Sequence, residues 1–426
     1  MMTSTHRPVV LSAIVALSAA MTTAPATAQS GPTPLAVVAT PSLLRQWAPA
    51  EGYYIDGRDT IILRIVEGRL FVELPDASVE LVLKDGKLVA ASTGPTIGPI
   101  EIDLRGRFVS YRGTRFERGS WQEPPLPPPA IASVIGDYVN GVRHIVIFER
   151  NGRSYASLSP GVYTPMSASG QGHWTISSGS ASATSKRLTV ITKNGVRSVR
   201  VDGVAFTLRP VTEDRPTPLT FEQLTRLRAI ALQAAPPHES GKRPSDLISL
   251  TSIDPTIHRN IVYATPNNFI GQPVYTHAVA MMQRPAAVAL ARVNAALSRD
   301  GYGLFVFDAY RPWYVTKIFW DASLPKNKIF VADPAEGSRH NRGCAVDLSL
   351  FKIATGKEVE MPSSYDENSP RSNPTYSGGT THQRWLREKL RTAMVAGDFT
   401  VDDVEWWHFN YADWASYPIG NVEISE

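Results

Sequence analysis

The sequence predicts an α+β C-terminal domain, with helices on a short, mainly antiparallel sheet, preceded by two similar all-β modules of barrel or sandwich type. Three observations carry this. Two segments of about 75 residues share one pattern of short alternating runs broken by Gly, Asn and Asp, which is how half-buried strands and tight turns read. Proline-rich breaks at Pro124–Pro129, Pro210–Pro218 and Pro236–Gly241 divide the chain, since proline cannot continue a regular element. Beyond about 246, helical and strand periodicities alternate. A length of 426 residues also exceeds what one core usually supports. The expected parts are a leader at 1–28, a β module at 40–118, a stiff Pro-rich linker at 119–131, a second β module at 132–210, a linker with a bridging helix at 211–245, and the α+β domain at 246–426.

The N-terminus reads as an export signal. His6 and Arg7 precede an apolar run from Val9 to Met21, and Ala26-Thr27-Ala28 is a small-x-small cleavage site before Gln29. The alternative is an uncleaved anchor. The run is short for a bilayer span, and no later stretch is apolar enough, so no stable span is expected after cleavage. Cys344 is the single cysteine, which forbids an intramolecular disulfide and makes a packed, inert thiol the expected state. An exported protein without disulfides suits the bacterial periplasm. A formal charge of +4, with no dense basic block, argues against nucleic-acid binding.

The two β modules align by eye. Gly-Tyr-Tyr-Ile-Asp-Gly at 52–57 matches Gly-Asp-Tyr-Val-Asn-Gly at 136–141, and the copies close on Gly113 to Phe116 and Gly203 to Phe206. They resemble the lipocalin-like β modules that accompany bacterial periplasmic hydrolases. Neither gathers catalytic residue types, so spacing, docking or stability is their expected role, with contact to peptidoglycan as the partner they would add. Thr220-Phe221-Glu222-Gln223 has capping-box spacing and opens a helix to about Ala235. Arg284-Pro285 starts another, with Leu290, Val293 and Leu297 as its apolar stripe. Strands are expected at 303–308, 345–350 and 400–409, and helices at 313–322 and 383–396. His382, just before the last helix, reads as a capping-region residue.

The chemistry lies in two segments, Ser338-Arg339-His340-Asn341-Arg342-Gly343-Cys344-Ala345-Val346-Asp347 and Glu405-Trp406-Trp407-His408. A catalytic zinc takes three N or O ligands and keeps one position open. His340 on a glycine turn, Asp347 on the following strand and His408 offer such a set. Glu405 is then free to move protons, unless it is itself a ligand or a surface charge. On an ideal strand, residues three apart face opposite sides, so Glu405 and His408 need a bulge or turn between them. Arg311, in Asp308-Ala309-Tyr310-Arg311-Pro312, ends a strand where it could stabilise an oxyanion or form a structural ion pair.

Ser-x-His-x-x-Gly-x-Ala-x-Asp followed by Glu-x-Trp-His resembles the zinc D,D-peptidases of peptidoglycan metabolism. Asp-x-Tyr-Arg-Pro at 308–312, Glu-Trp-Trp-His at 405–408, Tyr263-Ala264-Thr265 with Asn268 to Val274, and Gly356 to Met361 followed by Tyr365-Asp366 narrow the resemblance to the D-alanyl-D-alanine dipeptidases. It spans about 253–420. It implies one zinc on His340, Asp347 and His408, Glu405 as catalytic base and acid, and Arg311 at the transition state. It further implies Asp366 at the substrate ammonium, with Ser338 and Tyr263 as substrate contacts. The expected activity is hydrolysis of D-Ala-D-Ala or a similar small dipeptide. The alternatives are a D,D-carboxypeptidase acting on longer stem peptides and a non-catalytic wall-binding protein. Export and the two β modules depart from the family's pattern and leave the substrate open.

Overall fold

A computed structural model describes residues 39–425, apart from 67, 85–86, 92–96, 160, 178–184 and 210–216. The expected leader therefore lies outside the described residues. Among those residues, no helix is long and apolar enough to cross a membrane.

Both β modules are antiparallel barrels with one meander. In the second, eight strands from Gly136–Asn140 to Val204–Leu208 pair in chain order, and the last returns to the first, closing the barrel. In the first, eight strands from Gly52–Ile55 to Thr114–Gly119 follow the same path. There the fifth (Lys87–Ala90) and sixth (Ile100–Ile102) are the two ends of the sheet. The hairpin turns have a local cause. Arg112-Gly113, Asn151-Gly152, Asn194-Gly195 and Asp202-Gly203 all take positive φ at both positions, as the two-residue turn that matches strand twist requires. Each barrel has its own apolar filling. Tyr54, Leu63, Val72 and Phe116 are buried in the first, and Tyr138, Ile147, Trp174 and Phe206 in the second.

The C-terminal part is α+β. Helix α1 (Phe221–Gln233) carries the expected capping box between Thr220 and Gln223. Helix α2 (Arg284–Ser298), helix α3 (Trp313–Ala322) and helix α4 (Thr381–Ala396) follow. The central sheet holds β1 (His258–Arg259), β2 (Tyr302–Asp308), β3 (Ala345–Lys352), β4 (Phe399–Val401) and β5 (His408–Tyr411), in the order β1-β2-β3-β5-β4. Only β1 with β2 is parallel. Leu290, Val293 and Leu297 of α2 and Leu386 and Leu390 of α4 pack on Leu304, Val306, Val346, Leu348 and Leu350. Alternation along β3 sends Val346, Leu348 and Leu350 to this core and Asp347 to the other face. The single strand expected over 400–409 is instead a hairpin, β4 and β5, interrupted by a loop at 402–407.

Helix α4 has a second packed face, and it is charged. Arg384, Arg387, Glu388 and Arg391 are all at most 4% exposed, although a helix usually gives such a face to water. Both barrels cover it. From the first barrel, Arg64 reaches Glu73 at 2.7 Å and Glu388 at 3.4 Å, while Glu51 takes Arg391 at 2.5 Å. From the second, Arg150 meets Glu73 at 3.0 Å, and Glu149 accepts the Thr381 N–H at 2.7 Å. A carboxylate there also complements the positive end of the helix dipole. The Pro-rich segment runs along the same domain, with Trp385 donating to the Trp121 carbonyl at 2.6 Å and Glu123 meeting Lys352 at 3.0 Å and His382 at 3.1 Å. His382 thus lies in the first turn of α4 and faces this segment. The described residues form one compact unit.

Burial works against charge on Glu73, but Arg150, Arg64 and Arg384 hold its carboxyl down to about 2. A depressed carboxyl contributes stability above its unfolded pKa, near ~4.3, and loses it as pH falls through the folded value. Denaturant unfolding across a pH series should therefore show about 3 kcal/mol lost between pH ~4.5 and ~2 from this group. Glu73→Gln should unfold more easily at neutral pH by about 3–5 kcal/mol, because it strands buried arginines, and its profile should be flatter in that window. Parallel profiles would refute the assignment.

Candidate active site

Sheet register builds the site. Asp308 on β2, Asp347 on β3 and His408 on β5 are direct cross-strand partners, so their side chains share one face. A bulge between Val306 and Asp308 brings Asp308 into the row. His340 arrives from a short 3₁₀ turn, His340–Arg342, that ends at Gly343 with φ +67°. A Cβ on Gly343 would sit 2.4 Å from Leu247 Cδ2, so the turn and the close approach both require glycine there.

These elements bring three donor atoms together. His340 Nε2 is 3.1 Å from His408 Nδ1 and 3.3 Å from Asp347 Oδ1, and His408 Nδ1 is 3.0 Å from Asp347 Oδ1. Ligands ~2.0–2.1 Å from a tetrahedral zinc lie roughly 3.3 Å apart, so the triangle fits that ion. The far ring nitrogens strengthen the match. His340 Nδ1 donates to the Ala309 carbonyl at 2.6 Å, and His408 Nε2 to Asn410 Oδ1 at 2.9 Å. Those bonds fix the tautomers and turn both inner lone pairs toward each other. Two lone pairs and a carboxylate oxygen facing one point repel unless a cation lies between them. A proton can fill that role. Burial opposes it, yet Asp347 raises His408 to about 9, while His340 and His408 hold the Asp347 carboxyl far below its ordinary range.

Glu405 stands outside the triangle. Its Oε2 is 3.9 Å from His408 Nδ1. The His408 N–H donates to the Glu405 carbonyl at 3.3 Å, a turn that puts both side chains on one side. Burial, then the neighbouring Asp347 carboxylate, push the Glu405 carboxyl well above its usual range. Arg311 is buried and ion-paired to Asp308 at 2.7 Å, with Asp347 Oδ2 at 3.9 Å. Tyr275 donates to the other Asp308 oxygen at 2.7 Å. Asp366 takes a positive φ of 57° and accepts the Tyr263 hydroxyl at 2.9 and 3.0 Å. Ser338 Oγ accepts the His340 N–H at 3.2 Å, so it also braces the ligand turn. All eight expected residues line one cleft of about 300 Å³.

Three residues at the site escaped the sequence reading. Asp308 holds Arg311 in place. Asn410 orients His408, and its spacing of two along a strand was the available signal. Tyr365 donates to Asp347 Oδ2 at 3.0 Å and stacks on Phe307. Its contact depends on a loop returning to the sheet, which no local pattern announces. Cys344 is buried and its thiol is pushed up to about 12 by burial, consistent with an inert packed residue.

The geometry meets independent support in known proteins. A family model described as D-Ala-D-Ala dipeptidase, of the M15 peptidases, matches residues 243–423. The D-alanyl-D-alanine dipeptidase of Escherichia coli K12 is 31% identical over 175 residues, covering 41% of this chain and 89% of the relative. The proteins of that name from Enterococcus faecalis V583 and Enterococcus faecium are 34% and 29% identical. They match 35% and 39% of this chain and 84% and 93% of their own lengths. The barrels fall outside these matches. Through its C-terminal residues, and with a His-Asp-His set suited to a metal ion, the chain belongs to the M15 D-Ala-D-Ala dipeptidase family of metallopeptidases.

Proposed function

We propose that the C-terminal domain hydrolyses D-Ala-D-Ala or a similarly small dipeptide, with one zinc held by His340, Asp347 and His408. The observation that carries this is the triangle of donor atoms, with the far nitrogen of each imidazole held by a hydrogen-bond acceptor and a carboxyl, Glu405, left beside it. When bound, zinc supplies Lewis acidity, polarising the scissile carbonyl and lowering the pKa of water.

The chain's own residues do the rest. Glu405 accepts a proton from the attacking water as the C–O bond forms, then delivers it to the departing amine as the C–N bond breaks. A carboxyl held above its ordinary pKa suits both halves of that transfer. Arg311, braced by Asp308, offers its guanidinium to the developing oxyanion. Asp366, steadied by the Tyr263 hydroxyl, receives the substrate ammonium, and Ser338 contacts the substrate near the ligand turn. An ammonium anchor so near the metal set selects for short substrates. The leader-like segment at 1–28 supports an exported, periplasmic enzyme, which would meet peptides at the wall.

Hydrolysis of D-Ala-D-Ala, an N-acylated form and a longer stem peptide, each with and without a chelator, tests the reading. D-Ala-D-Ala should be cleaved fastest, and chelation should abolish turnover until zinc is restored. Chelator-resistant cleavage would sink the metal chemistry, and preference for the stem peptide would favour a carboxypeptidase. Glu405→Gln should bind zinc at the wild-type stoichiometry by metal analysis yet lose about 10²–10⁴ in kcat; loss of zinc would make Glu405 a ligand. Asp366→Asn should weaken kcat/KM for D-Ala-D-Ala by about 10–100-fold, the worth of a charged hydrogen bond. The same change should barely affect the N-acylated form, and an equal loss on both substrates would remove the ammonium role.

A further inference from the structure

A second cavity, of about 1010 Å³, lies away from the metal ligands at one end of the second barrel. Val142, Asp202, Ser157 to Ser159 and Gly161 lie along it. Phe71 and Ser78 to Glu80 of the first barrel close one side, and Pro370 to Ser377 of the C-terminal domain another. Barrel mouths are recurrent ligand sites, and this volume is at the top of the ~300–1,000 Å³ that holds drug-sized molecules. The catalytic cleft has about 300 Å³, so the second cavity suits something larger than a dipeptide.

Its unpaired charges favour an anion. The lining holds Arg143 and Lys186 against Glu80, Asp137 and Asp202. Asp137 has His144 at 3.4 Å and Arg209 at 3.8 Å, while Asp202 accepts the Arg187 backbone N–H at 3.2 Å and has no cation partner among the described residues. Glu80, from the first barrel, pairs with Arg69 through two hydrogen bonds. Arg143 and Lys186 also line the cavity. Among the described residues, no carboxylate lies within ion-pair distance of either, and the Arg143 guanidinium rests over the Phe206 ring. Beside these cations the rim is apolar, with Val142 89% exposed and Leu158 and Val204 also exposed. Ser157, Ser159, Asn373 and Thr375 add hydrogen-bonding groups.

We infer that this cavity is a second binding site, for a carboxylate-bearing peptidoglycan fragment: an acylated sugar-peptide whose carboxylates meet Arg143 and Lys186 and whose methyl groups meet the apolar rim. The choice of wall material rests on the proposed dipeptidase reading; the cavity and its charge do not. The same loop walls both cavities. Asp366 and Asn368 face the catalytic cleft, Pro370 and Asn373 face this one, and between them the Ser372 carbonyl accepts the Trp406 N–H at 2.8 Å.

The test is calorimetric titration of the zinc-loaded full chain carrying Glu405→Gln with a disaccharide-tetrapeptide. Saturable binding is expected, persisting in excess D-Ala-D-Ala, at least tenfold weaker after Arg143→Glu with Lys186→Glu, and at least tenfold weaker for the ligand amidated at its carboxyls. The amidated ligand keeps the test decisive should the double variant unfold. Absence of binding, displacement by D-Ala-D-Ala, or equal affinity for the amidated ligand would overturn the inference. Because binding is read without turnover, failure of dipeptide hydrolysis in the wild type would count against the proposed function and not against this result.

Discussion

The buried Arg–Glu network on α4 is the constraint on which the rest of this structure depends. A charge removed from water must be paired or it costs several kcal/mol. Here Glu73 and Glu388 each serve more than one arginine, and Arg64 joins the two. The pairs cross the boundaries between both barrels and the C-terminal domain, so none of the three can leave without stranding charges in the others. Burial, only partly offset by Glu388, pulls Arg387 down to about 10, a sign of how dry the junction is. The barrels are therefore part of the frame of the enzyme domain and not beads on a linker.

That frame extends toward the chemistry. Arginines of the same network bind backbone carbonyls of the segment after Asp366. Arg64 reaches Pro374, Arg387 reaches Tyr376 and Arg384 reaches Gly378. Ser372 in turn anchors Trp406, next to Glu405. Asp366 thus sits on, and Glu405 beside, a loop whose far end is gripped at the barrel junction. The candidate metal-binding residues depend on strand register and a glycine turn.

Much of this could be read from residue order. Alternation marked the strands, Thr220 and Gln223 marked a helix start, and the Gly turns marked the hairpins, because each of these signals acts within a few residues. The candidate donor set was legible for the same reason: His340, Gly343 and Asp347 form one local turn-and-strand unit, and Glu405 and His408 another. The expected strand over 400–409 failed where residues 402–407 leave the ladder, and the turn there puts Glu405 and His408 on one side. Asp308, Tyr365 and Asn410 were not legible as parts of the site, because each acts through a neighbour brought by another strand or loop. The charged face of α4 was equally silent. Arg384, Glu388 and Arg391 have the spacing of a solvated stripe, and only the arrival of two barrels makes it a core.

The sequence by itself determined the parts: two like all-β modules, an α+β domain, and the chemical groups for a metal-assisted hydrolysis. Those follow from periodicity, turn chemistry and residue type, which are local properties. Tertiary structure alone decided that Asp308, Asp347 and His408 stand in one row, that one nitrogen of each imidazole faces the same point as an Asp347 oxygen, and that the barrels share buried charge with the helix beside the site. Such facts depend on strand register and on how separate segments pack, and each pairs residues far apart in the chain.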